Sequence, residues 1–136
     1  MTVHLSSPES LMQPVPYHHV AVATGTRHVY VSGQIARQSD GTPTAPGDLA
    51  GQVEHALRNA HAGLQSAGAG FHDVVRLTFY VTGWAPEKIE SFMAGVNAVA
   101  EEIGLPMPMP PASLIGVDYL FEPDVLVEVE ATAILD

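Results

Sequence analysis

The fold class can be inferred from residues 73–81, which read Asp73-Val74-Val75-Arg76-Leu77-Thr78-Phe79-Tyr80-Val81. Apolar side chains alternate here with Arg76, Thr78 and Tyr80, and a period of two is typical of a β-strand with one buried face. On either side of this strand lie segments whose apolar residues recur at every third or fourth position, which predicts two amphipathic helices. The interleaving of strand and helix indicates an α+β domain.

The two helices are bounded by recognisable start and stop signals. The first is predicted to begin after Asp48, a good N-cap residue, and to stop at Gly68. The second begins with Pro86, which suits a first helical position, and ends at Gly104. The apolar stripe of the second helix consists of Ile89, Phe92, Met93, Val96, Ala100 and Ile103. Each helix therefore has one face to bury against a sheet.

Four further strands are predicted. Residues 19–23 and 28–33 form a pair joined by a hairpin turn at 24–27, and residues 113–117 and 125–135 close the chain. In the last strand the apolar residues share one face, and Glu128, Glu130 and Thr132 share the other. The resulting order, β-β-α-β-α-β-β, favours a mixed sheet with both helices packed on one face.

The chain is predicted to be one domain over residues 1–136, with residues 1–15 as a loosely ordered N-terminal arm. A sheet covered by helices on only one face leaves its other face exposed. Symmetric self-association would cover that face, and it would also help a domain of this size to bury enough surface.

The composition excludes several classes of function. The formal net charge is −10, and the cations are Lys88 and four arginines, so the clustered positive charge that nucleic acids and acidic membranes require is missing. The chain has no cysteine, which excludes disulfides, thiolate metal sites and a cysteine nucleophile. We find neither a secretory signal nor an apolar run approaching the roughly 18 residues of a membrane-spanning helix. We therefore expect a cytoplasmic protein whose partners are small organic molecules.

Three segments together resemble the RidA (YjgF) family. They are the second-strand motif Val29-Tyr30-Val31-Ser32-Gly33-Gln34-Ile35, the central strand at residues 73–81 and the terminal strand Leu126-Val127-Glu128-Val129-Glu130-Ala131. Pro16-Tyr17 is similar to the Pro-Tyr that precedes the first strand of the family. The resemblance covers roughly residues 14–135. It implies a chorismate-mutase-like fold and a homotrimer whose three sheets form a central barrel, with clefts between subunits that bind small carboxylic acids.

The resemblance also implies an activity, but one motif departs from it. Members of the best-studied subgroup hydrolyse reactive 2-imino acids to 2-oxo acids and ammonia, and they use no metal or cofactor. In that subgroup a Pro-Ala-Arg-Ser segment supplies an arginine that holds the substrate carboxylate with two parallel hydrogen bonds. Here the segment reads Pro110-Pro111-Ala112-Ser113, and residues 89–136 contain no arginine or lysine. Since Ala112 occupies the arginine position, we expect standard 2-imino acid deaminase activity to be weak or absent.

Three residues are catalytic candidates by this resemblance. Tyr17 would orient ligand or water, or would be a packed tyrosine with its hydroxyl at the surface. His18 would act as a general acid or base or as a cationic partner of a carboxylate, or would be exposed at a strand edge. Glu128 matches the glutamate that orients the attacking water, and an apolar cleft would raise its pKa; the alternative is a solvated carboxylate.

Five residues are candidates for ligand binding. Gly33 would let the backbone approach a ligand closely, or would mark a bulge or a strand end. Ser91 lies near the place where the subgroup has an asparagine, and Ala112, Ser113 and Leu114 border the family cleft. The histidines offer no ligand set for zinc or iron, so neither a metal nor a cofactor is expected. We expect the cleft to bring together side chains from two chains, namely Tyr17, His18, Gly33, Ser113 and Glu128.

Two functions remain open from the sequence. The first is an enzyme that hydrolyses or tautomerises a small imine, enamine or related acid with Tyr17, His18 and Glu128. The second is a non-catalytic ligand-binding trimer, a metabolite sensor or sink that kept the pocket without the chemistry. A third function, an endoribonuclease, is a label that some family members carry, and the acidic composition argues against it.

Overall fold

The computed structural model describes residues 3–136. Four strands form one mixed sheet in the order β3-β6-β4-β5, in which β4 and β5 are parallel and the other neighbours are antiparallel. This confirms the expected α+β fold with a mixed sheet and two helices. The elements in chain order are β1 (Val3–Ser6), β2 (Val20–Ala23), β3 (Arg27–Gln34), α1 (Leu49–Ser66), β4 (Val74–Thr82), α2 (Ile89–Ile103), β5 (Ala112–Val117) and β6 (Val127–Leu135).

Two expectations about the N-terminal third were wrong. The loosely ordered arm was predicted over residues 1–15, of which residues 1 and 2 lie outside the described part of the chain. Val3–Ser6 form strand β1, and Val3 is buried. The predicted hairpin is also absent, because β2 pairs with β1 while β3 pairs with β6. β6 gives β3 a longer antiparallel partner than the four-residue β2, and such a distant pairing leaves no local sequence signal.

The core lies between one face of the sheet and the two helices. In β6 the side chains alternate strictly, so that Val127 and Val129 are buried on the helix side while Glu128 and Glu130 lie on the other face. The helices also pack against each other, and a Cβ at Gly95 of α2 would overlap the carbonyl oxygen of Ala50 in α1. This close approach fixes α2 over the sheet.

The opposite face of the four-stranded sheet carries polar and aromatic side chains. Tyr30 of β3 is 73% exposed, and Arg76 of β4 is exposed on the same face. We call this surface, formed by the outward side chains of β3, β6, β4 and β5, the open face.

The segment that leads into β6 is held by the buried amide of Gln52. Its Nε2 donates to the carbonyl oxygens of Ala45 and Asp124, and its Oε1 accepts from the backbone N–H of Leu126. The guanidinium of Arg37 grips the Asp124 carboxylate with two bonds of 2.8 and 2.9 Å. Together these bonds fix the start of β6, and with it the position of Glu128.

Within residues 3–136, no helix has the length and apolar character needed to cross a membrane.

Candidate functional site

An apolar cavity of about 140 Å³ lies beside the edge strand β5 and the first turns of α2. Its aromatic walls include Phe79 and Phe92, whose rings meet edge to face at 4.9 Å between centroids. Both rings belong to the packed core, so this wall is rigid. The cavity is lined by Pro16, Tyr17, Phe79, Ile89, Phe92, Met93, Met109, Ala112, Ser113 and Leu114.

Tyr17 is held at the cavity by backbone pairing on both sides of it. The N–H of Met109 donates to the carbonyl oxygen of Pro16 at 2.8 Å, and the N–H of His18 donates to the carbonyl oxygen of Met109 at 2.7 Å. This short parallel bridge ties the segment before β2 to the segment before β5. It therefore brings Tyr17 to the same cavity as Ala112, Ser113 and Leu114.

The parallel pairing of β4 with β5 decides which way the residues of β5 face. Ala112 and Leu114 lie opposite Leu77 and Phe79, whose side chains point into the core. Ser113 lies opposite Thr78 and shares the open face with it. The Ser113 hydroxyl accepts a hydrogen bond from Nη2 of Arg76 at 2.5 Å. A guanidinium therefore reaches a residue that borders the cavity.

Gly33 and Glu128 lie together at a different place on the sheet. The pairing of β3 with β6 shifts register between Val31 and Gln34, and Gly33 lies within this irregular stretch. A Cβ at residue 33 would overlap the carboxylate of Glu128. Burial raises the pKa of Glu128, and the nearby Glu130 raises it further. The missing side chain of Gly33 therefore makes room for a carboxyl group that holds its proton more tightly than usual.

Two predicted site residues belong to neither group. Nδ1 of His18 lies 3.1 Å from the carbonyl oxygen of Met109, and the ring lines a separate depression next to Ser7 and Gln13. Ser91 is exposed on α2 and does not line the cavity. A single chain thus brings Tyr17 together with residues 112–114, and Gly33 together with Glu128. The convergence of both groups and His18 on one cleft stays a prediction.

The structure adds residues that the sequence did not indicate. Ile89 and Met93 belong to the apolar stripe of α2, yet they line the cavity, and Ile89 is 43% exposed. The alternation around Arg76 indicates only the polar face of a strand. Its proximity to Ser113 depends on the β4–β5 pairing, for which no local pattern exists. Among residues 3–136, no three histidine, aspartate or glutamate side chains are grouped closely enough to hold a metal ion.

Known proteins are similar to this chain in both sequence and fold. A family model described as Endoribonuclease L-PSP matches residues 8–135. The chain is 36% identical over 92 residues to the RutC family protein YjgH of Escherichia coli, an alignment that covers 68% of this chain and 65% of YjgH. It is 31% identical over 137 residues to the RutC family protein slr0709 of Synechocystis, with 99% and 98% of the two chains covered.

Among solved structures, the Rid-family protein YyfB of Yersinia pestis, whose function is unknown, superposes with a TM-score of 0.88 at 32% identity and covers 99% of this chain and 100% of its own. The E. coli protein TdcF, solved with bound serine, has a TM-score of 0.68 at 26% identity and 91% coverage of both chains. The matched span of residues 8–135 and the agreement of the fold along almost the whole chain show that this protein belongs to the RidA/YjgF family.

Proposed function

We propose that this protein binds a small carboxylic acid, or a related imine or enamine, in clefts between the subunits of a homotrimer and hydrolyses or tautomerises it there. The observation that carries the proposal is the apolar cavity at the edge of β5, which Tyr17 borders together with residues 112–114. Pockets of this kind, mostly apolar with a few placed polar groups, are typical of small-molecule sites. The serine bound to TdcF, a relative with the same fold, supports a small acid as the ligand.

The separation of the two groups of site residues supports a site made by two chains. Glu128 lies opposite Tyr80 on one side of β4, and Ser113 lies opposite Thr78 on the other side. Glu128 and Ser113 are two strands apart across the sheet and two residues apart along it. The distance between their backbone positions is therefore about 12 Å. A ligand that fills a 140 Å³ cavity is too short to reach both within one chain. Rotation about a symmetry axis would bring the Glu128 of one subunit to the cavity of the next.

The chemistry that suits this arrangement is proton transfer at a carbon–nitrogen double bond. A carboxyl group with a raised pKa is a stronger base than an ordinary carboxylate, so it can accept a proton and return it. Glu128 would take a proton from the water whose oxygen adds to the imine carbon and pass it to the nitrogen, which gives a carbinolamine. It would then move the proton of the carbinolamine hydroxyl to the amine, so that the C–N bond breaks, the carbonyl of the 2-oxo acid forms and ammonia leaves. The phenol of Tyr17 would orient the ligand. Because Ala112 stands where the deaminase subgroup has its arginine, hydrolysis of simple 2-imino acids is expected to be weak.

Ala112 also favours a second candidate function, a ligand-binding trimer without catalysis, because an alanine cannot hold a substrate carboxylate.

RNA cleavage is not proposed, because the chain carries a net charge of −10 and because Arg37 and Arg58 are bonded to carboxylates.

Three measurements test the proposal. Light scattering during size exclusion should give about three times the 14.4 kDa chain mass, and a clean monomer would remove the two-chain site. Calorimetry with isovalerate, a small branched acid, should detect binding that Tyr17→Phe weakens.

Turnover is measured with imines that an amino-acid oxidase generates in the presence of semicarbazide as a trap. A slow reaction that Glu128→Gln abolishes while isovalerate binding persists supports the enzyme. Binding without any turnover supports the non-catalytic trimer. Absence of isovalerate binding contradicts both.

A further inference from the structure

We propose that Arg76, held by Ser113, replaces the missing arginine and binds the carboxylate of the ligand at the edge of β5. The proposal rests on the proposed function, since it names the residue that recognises the charged end of that ligand. It would give the apolar cavity a cation that β5 itself does not supply.

The first argument is geometric. Arg76 belongs to β4, and its guanidinium extends across the open face towards β5, where Nη2 bonds to the Ser113 hydroxyl. Ser113 also borders the cavity. β5 is the last strand of the four-stranded sheet, so a ligand can lie across its free edge. An apolar tail would fill the cavity beside Tyr17 and Leu114, while the carboxylate would meet Arg76 on the open face.

The second argument concerns the other cations of this acidic chain, which have their own structural partners. Arg37 binds Asp124 and Glu122, and Arg58 binds Glu102 and Glu54. Nε of Arg27 donates to an oxygen of Asp136. Lys88 donates to the carbonyl oxygen of Thr82.

Arg76 differs from Arg37 and Arg58, which are paired with carboxylates. Within residues 3–136 its side chain forms one hydrogen bond, to a neutral hydroxyl, and no ion pair. A guanidinium has five N–H donors in a planar fork that fits a carboxylate. Arg76 therefore keeps most of its donors free for an anion.

The third argument concerns Glu130, which lines the same depression of the open face as Arg76. Glu130 lies on β6 opposite Thr78, on the side of β4 away from Ser113. It accepts a hydrogen bond from the Tyr80 hydroxyl at 2.8 Å. The Glu130 carboxylate is thus bonded to the Tyr80 hydroxyl, whereas the Arg76 guanidinium is bonded to Ser113 on the other side of β4. An external carboxylate can then bind Arg76 without displacing an internal ion pair.

The ligand class follows from these two parts of the site. A cavity of about 140 Å³ accepts a short aliphatic or small aromatic group, and the guanidinium selects one carboxylate. Isovalerate and its amide, isovaleramide, have the same branched tail and differ chiefly in charge, so they are the matched probes.

Calorimetric titration of both probes tests the proposal on wild type, Arg76→Gln and the control Arg27→Gln, which removes an arginine at the far end of the sheet. For Arg76→Gln we expect the Kd of isovalerate to rise about tenfold and the Kd of isovaleramide to stay unchanged. Arg27→Gln should change neither Kd. Added salt should weaken isovalerate binding to wild type more than isovaleramide binding, because only isovalerate forms an ion pair that salt screens.

A second variant and a measurement on the wild type distinguish loss of the Arg76–carboxylate contact from misfolding of Arg76→Gln. Ser113→Ala frees the guanidinium and should raise the Kd of isovalerate severalfold and by more than that of isovaleramide. In wild type, the Nε–H resonance of Arg76, assigned by its disappearance in Arg76→Lys, should shift as isovalerate is added.

Three results would overturn the proposal. Unchanged isovalerate binding by Arg76→Gln would remove Arg76 and leave the proposed function intact. Equal loss of both probes in that variant, or an Arg76 resonance that does not move, would show a purely structural role. Failure of wild type to bind either probe would contradict the proposed function as well.

Discussion

Gly33 of β3 lies so close to the Glu128 carboxylate of β6 that a side chain at residue 33 would overlap it. The irregular pairing of β3 with β6 brings the bare backbone of Gly33 against the Glu128 side chain, and the surrounding protein raises the pKa of its carboxyl group. Any base chemistry of Glu128 therefore depends on the absence of a side chain at residue 33.

Gly33→Ala should displace the Glu128 carboxylate. The long glutamate side chain can rotate away, so we expect a stability loss of only about 1 kcal/mol, together with a loss of any Glu128-dependent turnover. Denaturant unfolding measures the first effect and the imine assay the second. In the Gly33→Ala/Glu128→Ala double variant the stability cost of Gly33→Ala should largely disappear. A cost that persists there would mean that the overlap is not with Glu128.

Glu128→Gln should make stability less dependent on pH. The pKa of Glu128 is raised in the folded chain, so its contribution to stability is full below its ordinary pKa and is lost as pH rises through the raised value. The variant should therefore melt at a higher temperature than wild type at pH 7, and the difference should vanish near pH 4. Glu90→Gln, on the exposed surface of α2, is the control for removing one charge. A difference that does not change with pH would contradict the raised pKa.

Gln52→Leu should be strongly destabilising even though it keeps the size of the side chain. Gln52 is 1% exposed and bonds to three backbone groups, which the variant leaves without their partner. We expect a loss of about 2–3 kcal/mol in the free energy of unfolding. Asn97→Leu, on the exposed side of α2, is a control for adding apolar surface. A loss below about 0.5 kcal/mol would show that water replaces the amide.

Ala112→Leu should fill the cavity. Ala112 faces the core side of β5 and lines the space that the ligand tail would occupy. Isovalerate and isovaleramide should therefore lose affinity together by at least tenfold, while thermal stability changes little. Ala98→Leu, on the exposed side of α2 and outside the cavity lining, should leave both affinities unchanged. Retained binding in Ala112→Leu would place the ligand elsewhere.

The helices and strands that could be predicted are those with a strong local pattern. The N-cap at Asp48 is observed, with its carboxylate accepting from Gly51 N–H, and the alternation in β6 places Glu128 and Glu130 on the open face. Such features depend on residues a few positions apart, so they can be predicted from the local sequence. Residues 3–6 were missed because a four-residue strand offers too few alternating positions to distinguish it from a loop.

The candidate site was only partly predictable. Tyr17, Gly33 and Glu128 came from motifs that resemble a known family, and the structure places Tyr17 at the cavity and Gly33 against Glu128. The pattern around Arg76 indicates only the polar side of a strand. Its role depends on β5 lying parallel to β4, with Ser113 beside Thr78. This pairing joins residues more than thirty positions apart in the sequence. The alternation in β4 and the one in β5 would each also be compatible with a different neighbouring strand.

Residue spacing and charge along the chain were thus enough to establish the α+β class, the two amphipathic helices, the open sheet face and the acidic surface. Strand order, register and the backbone bridge between Tyr17 and Met109 decided which side chains meet. Periodicity is set by neighbours within one or two turns of chain, whereas strand pairing is chosen by the packing of the whole core. The cavity, the Gly33–Glu128 contact and the reach of Arg76 to Ser113 therefore exist only in the tertiary structure.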